Sequence, residues 1–294
     1  MRDGSPDFLI LANQRKLAWI EGGDPEGFPV FFAHGAPGSR LELQFFANKA
    51  KKYGLRLIAC DRPGFGKSDF IKGYPLLAFA DDLERLADAM KISRFGLIGW
   101  SSGGPPVLAA ARQMPGRLSF VFSVAGYTNF GEYPDALKLM AEYNLYGPRL
   151  SANHPRLFTT ILKLLRGTGL HLPTVYLNMA KRAMKHADRR VLCDPEIARR
   201  FVRDHQEGLA AGIRGMIQDL RTQYAPWEFS LNEIRVPVHV FQGQQDVFVP
   251  WQFAGHLAAA ILHAELHLYE DLGHLLLLQP NQQDELFALA RSLI

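Results

Sequence analysis

Cysteine is scarce in this chain: there are two among 294 residues, and Cys60 and Cys193 lie far apart in sequence. That excludes a disulfide framework and makes a reducing compartment the simpler setting. Long apolar runs are missing as well. Purely apolar stretches such as Leu275 to Leu278 fall far below the roughly 20 residues that cross a bilayer, so no transmembrane helix is expected. The start, Met1-Arg2-Asp3-Gly4-Ser5-Pro6-Asp7, is polar and acidic where a secretory signal has a basic start followed by an apolar stretch. A cytoplasmic location is the resulting expectation. No H-E-x-x-H occurs, the ten histidines are scattered, and two cysteines cannot build a zinc cluster. Neither a metal nor another cofactor is therefore expected. The formal charge is only +4, and no basic run is interleaved with aromatics, which argues against nucleic-acid binding.

What is present is a globular composition, 48% hydrophobic and 21% charged, which speaks against disorder. Short apolar runs at Val30–Ala33, Leu55–Cys60, Phe95–Ile98 and Leu118–Val124 alternate with helical spacing over Phe79–Met90 and Val107–Gln113. This rhythm predicts an α/β fold with a mostly parallel sheet. The runs are continuously apolar because such strands are covered on both faces. From about Tyr127 to Phe229 strand patterns vanish and helical ones continue. We read residues 127–229 as an inserted helical cap domain and residues 1–126 with 230–294 as the core domain. The cap segment holds 15 Lys and Arg against 10 Asp and Glu, essentially all of the net charge. Its basic residues, among them Lys181, Arg182, Lys185, Arg189 and Arg190, suit a solvated face, with an anionic substrate or acyl carrier as the sharper alternative. Its apolar residues, Phe158, Ile161, Leu162, Leu164 and Leu165 and later Tyr176, Leu177, Met179 and Met184, would serve a hydrophobic tunnel or ordinary helix packing equally well. Strands resume at Val238–Phe241 and Leu266–Tyr269, with helices at Trp251–Leu262 and Glu285–Leu293.

The segment Gly99-Trp100-Ser101-Ser102-Gly103 follows the apolar run ending at Ile98 and matches G-x-S-x-G. A strand turning sharply into a helix would hold Ser101 in a strained conformation at the strand's tip, with small residues on either side admitting the neighbouring chain. A serine hydroxyl at neutral pH needs a histidine base, and that histidine needs a carboxylate to fix its tautomer. In open α/β sheets such groups gather at the carboxyl ends of strands. Asp246 follows the run at 238–242, and His274 follows the run ending at Tyr269. Glu270 and Asp271 stand closer to His274 in sequence and compete with Asp246. His239 and His267 alternate within strands and read as packed or surface histidines.

With this order of serine, acid and histidine the chain resembles the α/β-hydrolase family. The resemblance extends to His34-Gly35-Ala36-Pro37-Gly38, which is similar to the family's oxyanion loop in its H-G-x-P-G form, and to the turn Asp61-Arg62-Pro63-Gly64-Phe65-Gly66-Lys67-Ser68. It implies a serine hydrolase with Ser101 as nucleophile, His274 as base and Asp246 as its orienting acid. The oxyanion would be held by the N–H groups of Ser102 and Ala36, with Trp100, His34 and Gly35 beside the substrate. The expected reaction is hydrolysis of a small-molecule carboxylic ester or acyl compound, as in a carboxylesterase. The same triad also serves thioesterases, carbon–carbon bond hydrolases, cofactor-free haloperoxidases and proline-releasing aminopeptidases. Ala36 and Ser102 depart from the H-G-G-P-G loop and post-nucleophile tryptophan of the aminopeptidases. A dehalogenase or epoxide hydrolase would carry Asp in place of Ser101. A non-catalytic ligand-binding protein is the alternative from another class, and a homo-oligomer is left open. A histidine base with an ordinary pKa loses activity below about pH 6 to 7. One decoy, Gly66-Lys67-Ser68, would end a phosphate-binding loop, but that loop needs glycine at position 61, which is Asp.

Overall fold

Six apolar runs of the sequence become neighbouring strands of one sheet in the computed structural model, which describes residues 4–143 and 145–294. The strands are β1 (Asp7–Ile10), β2 (Lys16–Gly23), β3 (Phe28–Ala33), β4 (Leu55–Cys60), β5 (Phe95–Trp100), β6 (Leu118–Val124), β7 (Val238–Gly243) and β8 (Ala264–Tyr269). Their spatial order is β1-β2-β4-β3-β5-β6-β7-β8. β3 to β8 run parallel, while β1 and β2 add an antiparallel edge beside β4. The sequence reading had no place for β1 and β2. Phe8 and Ile10 face outward, 51% and 53% exposed, so this half-solvated edge lacks the continuous apolar run that marks a doubly covered strand.

Because side chains alternate along a strand, each strand feeds two cores. Phe31, Leu97, Val121 and Val240 point to one side, where helices Leu77–Ala89 and Gly104–Gln113 cover them with Leu83, Leu86, Val107 and Leu108. Phe32, Ile98, Phe122 and Phe241 point to the other, against Phe46, Ala47, Leu286 and Phe287. The parallel direction brings the carboxyl ends of β3, β5, β7 and β8 to one edge of the sheet, where loops can assemble a site.

Between β6 and β7 the described residues form no strand but seven α-helices, from Ala136–Glu142 to Arg214–Gln223, and one short 3-10 helix, Leu231–Glu233. Proline in the first turn starts the helices Gly147–Asn153, Pro155–His171, Pro173–Ala183 and Pro195–Ala210, where its missing N–H costs nothing. Asp194 caps the last of these by accepting from the N–H groups of Glu196 and Ile197. This helical section is seated on the core by a cluster of Phe65, Phe158, Leu162, Leu209, Met216 and Leu220. Helix Pro195–Ala210 also lies directly on the loop after β3. A Cβ on Gly208 would stand 1.9 Å from the Pro37 carbonyl oxygen, so the approach needs glycine.

Candidate active site

The turn after β5 carries Ser101 with φ +55°, a left-handed conformation that a non-glycine residue adopts only under constraint. Close packing supplies the constraint. A Cβ on Gly99 would lie 2.2 Å from the Gly103 carbonyl oxygen, and one on Gly103 would lie 2.0 Å from that of Ala33. The small residues at these two positions therefore let the turn fold back against β3. Ser102 sits in the first turn of the following helical stretch, where an N–H has no intrahelical acceptor.

After β7, Asp246 is fully buried. Its Oδ1 accepts from the N–H groups of Phe248 (2.8 Å) and Val249 (3.0 Å), while Oδ2 accepts from Gln242 Nε2 (3.0 Å). The same Oδ2 stands 2.8 Å from His274 Nδ1, in the loop after β8. This geometry places Asp246, and neither Glu270 nor Asp271, on the histidine. It leaves Nε2 as the ring's other nitrogen. The imidazole lies between Trp100, at a 6.2 Å ring separation, and Phe248, at 5.3 Å. The Trp100 indole N–H also donates to the His274 carbonyl (3.1 Å).

Ser101, Ser102, Gly35, Ala36, Trp100 and His274 all line one cavity of about 490 Å³. Ala36 N–H has no acceptor among the described residues, as an oxyanion donor requires. Gly35 N–H, in contrast, is committed to both carboxylate oxygens of Glu42 at 3.1 Å.

His34 is a correction. Expected beside the substrate, it is fully buried and outside the cavity lining. Arg62 N–H donates to its Nε2 (3.0 Å), so the ring proton sits on Nδ1 and is given to the Gly35 carbonyl at 2.6 Å. Burial, then the Arg62 charge, keeps it neutral. His34 thus fixes the loop, while Ala36 and Gly35 line the cavity.

Several residues at this site carried no signal in the sequence. Asp188, on the short helix His186–Val191, is buried and accepts from His274 N–H (2.9 Å) and Leu275 N–H (2.8 Å). A Cβ on Gly273 would fall 2.3 Å from this carboxylate, so glycine before the histidine makes room for it. In sequence Asp188 is a lone acid in a basic stretch, 86 residues from its partner. Burial by itself would pull the His274 pKa down. The charge and hydrogen bond of Asp246, then the charge of Asp188, outweigh burial and raise it above the ordinary value.

Glu42 lines the cavity as its one carboxylate. Burial, and then the nearby Asp204 charge, push its pKa well up. His205 and Tyr176 also face this space. Of the apolar cap residues read from the sequence, Leu165, Tyr176, Met179 and Met184 line the cavity, whereas Ile161 and Leu164 point outward, 43% and 67% exposed. No lysine or arginine is among the lining residues.

Among the described residues, the group that could hold a metal is His239, Glu265 and His267. His239 Nδ1 is 3.2 Å from His267 Nε2, and the Glu265 oxygens are 3.4 and 3.7 Å away. These residues lie on β7 and the edge strand β8, outside the cavity. The sequence reading took both histidines as packed or surface side chains within strands. No described helix is long and apolar enough to cross a membrane.

A strained serine at a strand tip, an Asp–His pair on neighbouring loops and a parallel sheet beneath them define a hydrolase framework. A family model described as the alpha/beta hydrolase fold matches residues 29–280, and the chain belongs to that family. It is 28% identical over 283 residues to the 2-hydroxy-6-oxo-6-phenylhexa-2,4-dienoate hydrolase of Comamonas testosteroni, covering 91% of this chain and 85% of that one. It is 27% identical to a non-heme chloroperoxidase of Streptomyces lividans, over 90% and 92% of the two chains. Among solved structures, an esterase from Exiguobacterium antarcticum superposes with a TM-score of 0.70 at 20% identity, covering 97% of each chain, which shows the shared fold.

Proposed function

We propose that the protein is a serine hydrolase that cleaves carboxylic esters through an acyl-enzyme, with residues 127–229 acting as a cap over the site. The observation that carries this reading is the shared cavity. Ser101 and His274 open onto it, His274 is held by Asp246 at 2.8 Å, and Ala36 and Ser102 line it. Ser101 Oγ attacks the acyl carbonyl while His274 Nε2 takes its proton, and the developing oxyanion is received by the two N–H groups. The C–O bond breaks as His274 returns the proton to the leaving alkoxide. Water, deprotonated by His274, then attacks the acyl-enzyme, releasing the acid and restoring Ser101.

The lining residues also weigh the alternatives. A proline-releasing aminopeptidase needs a carboxylate for the substrate amine, and the one in the cavity, Glu42, comes from the core and already accepts from Gly35 N–H. A dienoate substrate, such as the Comamonas relative's name denotes, carries a negative charge, and here no cation lines the cavity to receive it. The test is turnover of p-nitrophenyl acetate and butyrate together with labelling by a fluorophosphonate probe. Both should be lost in Ser101→Ala. An unlabelled wild type with no turnover would favour the ligand-binding reading, and faster cleavage of proline anilides than of esters would favour the peptidase.

A further inference from the structure

Polar side chains in an apolar cavity decide which substrates are at home there, because each one left unpaired penalises the wrong ligand. Apart from the triad and the oxyanion loop, two polar pairs on the helical side line the cavity: the hydroxyls of Tyr127 and Tyr224 bond to each other, and the other pair joins a phenol to an imidazole. Tyr176, on helix Pro173–Ala183, places its hydroxyl 2.7 Å from Nδ1 of His205, on helix Pro195–Ala210. The imidazole is fixed further by Phe201, whose ring centre is 3.9 Å away, and by the edge of Tyr176. Both members of the pair line the cavity.

The protonation state of the pair follows from its partners. Burial, and then the charge of nearby His274, pull the His205 pKa down to about 3, so the imidazole is neutral at working pH. Burial holds the Tyr176 phenol protonated. The Tyr176 hydroxyl has no other partner among the described residues, and we assign its proton to Nδ1. Tyr176 donating to Nδ1 leaves the ring proton on Nε2, and that N–H has no acceptor among the described residues. With no lysine or arginine on the wall, a neutral N–H cannot offset the desolvation of a carboxylate, but it does satisfy an uncharged carbonyl oxygen.

We infer that His205, its tautomer set by Tyr176, is a specificity-determining hydrogen-bond donor. It selects uncharged esters whose largely apolar acyl chain bears a second oxygen acceptor, such as a keto group, and excludes chains that end in a carboxylate. This rests on the esterase reading of the same cavity and deepens it.

The experiment compares p-nitrophenyl hexanoate with its 3-oxo, 4-oxo and 5-oxo derivatives and with the p-nitrophenyl half-ester of adipic acid. The proteins are wild type, His205→Leu and Tyr176→Phe, with thermal unfolding confirming that each is folded. The quantity read is the ratio of kcat/KM between two esters on one protein, so a general loss of activity cancels. In the wild type at least one oxo ester should exceed hexanoate about five- to tenfold, the worth of one neutral hydrogen bond. The adipate half-ester should be the poorest of the set. The oxo preference should fall to about one in His205→Leu and shrink in Tyr176→Phe. A wild type indifferent to all three keto positions, an adipate half-ester faster than hexanoate, or a preference that survives His205→Leu would each overturn the inference. Should the wild type hydrolyse no ester, the esterase reading fails by itself. Calorimetric binding of 2-heptanone and heptanoate to Ser101→Ala, with and without His205→Leu, then decides the donor role. Ketone binding that is tighter than carboxylate binding and weakened by the leucine supports it, and equal affinities overturn it.

Discussion

The sheet and the helical section between β6 and β7 meet at one cavity but are organised by different means. In the sheet, each site residue follows a strand of the same parallel array, so Ser101, Asp246, His274 and the Ala36 loop reach one edge by topology alone. In the helical section, Tyr176, Asp188 and His205 come from three separate helices, and only tertiary packing brings them to the site around Ser101. On the proposed reading, the first arrangement sets the bond-breaking geometry independently of substrate. The second shapes the space around it and reaches back into the loop of His274 at one point, the Asp188 carboxylate that accepts from the His274 and Leu275 N–H groups. Changes in the sheet loops should therefore depress turnover of every substrate, whereas changes in the helices should alter selectivity, with Asp188 as the exception.

The sharpest break of that division is expected at Asp246. In Asp246→Asn the amide can no longer both accept from Nδ1 and stabilise the imidazolium, so kcat should drop by about 10⁴ for all esters alike. Because Asp246 Oδ1 also accepts from two backbone N–H groups, thermal unfolding should accompany the kinetics. A folded Asp246→Asn protein within tenfold of wild type would remove Asp246 from the site and undo the strand-end argument.

This contrast also explains what could be read from sequence. A nucleophile elbow is a local pattern, small residues flanking a serine after an apolar run, and the ends of doubly covered strands are marked by the runs themselves. The parallel sheet and the placement of Ser101, Asp246 and His274 on neighbouring loops were therefore legible. The edge strands β1 and β2 were not, since one face of each is wet and their alternation is weak over four and eight residues. His34 misled for a related reason. Its neighbours in sequence belong to the oxyanion loop, but its ring is committed to the backbone of Arg62, 28 residues on, a bond no local pattern announces. Asp188 and the Tyr176–His205 pair share that property.

Asp188→Asn tests the one place where the helices enter the chemistry. One of its two backbone hydrogen bonds would be lost with the charge, for a fall in kcat of about tenfold to a hundredfold, the span of a charge-assisted hydrogen bond. The pH profile gives the more specific readout. His274 acts as a base when neutral, and its pKa is raised, so the acid limb of wild-type kcat should lie above the ordinary histidine value near 6.5, higher than the sequence alone suggested. The Asp188 charge contributes to that rise. Removing it should lower the His274 pKa and move the limb to lower pH, leaving the neutral base available in more acidic solution. A purely structural role for Asp188 would reduce activity evenly and leave the limb where it was.

The smallest effect belongs to Trp100, which stands in the sheet's own elbow yet walls the substrate space. Trp100→Phe keeps an aromatic face beside His274 and deletes the indole N–H that holds the His274 carbonyl at 3.1 Å. Losing one neutral hydrogen bond is worth about 1 kcal/mol, or roughly fivefold in kcat. How that loss is distributed tests the division of labour. If Trp100 serves the loop, hexanoate and acetate esters should lose equally, because the histidine carbonyl is held the same way whatever the acyl chain. If its chief role is as a wall, KM should rise with chain length while kcat stays near wild type, since the smaller ring leaves long chains with less apolar contact. Measuring kcat and KM over a series of chain lengths separates the two. A chain-length-dependent loss would show that the sheet, and not only the helices above it, sets the choice of substrate.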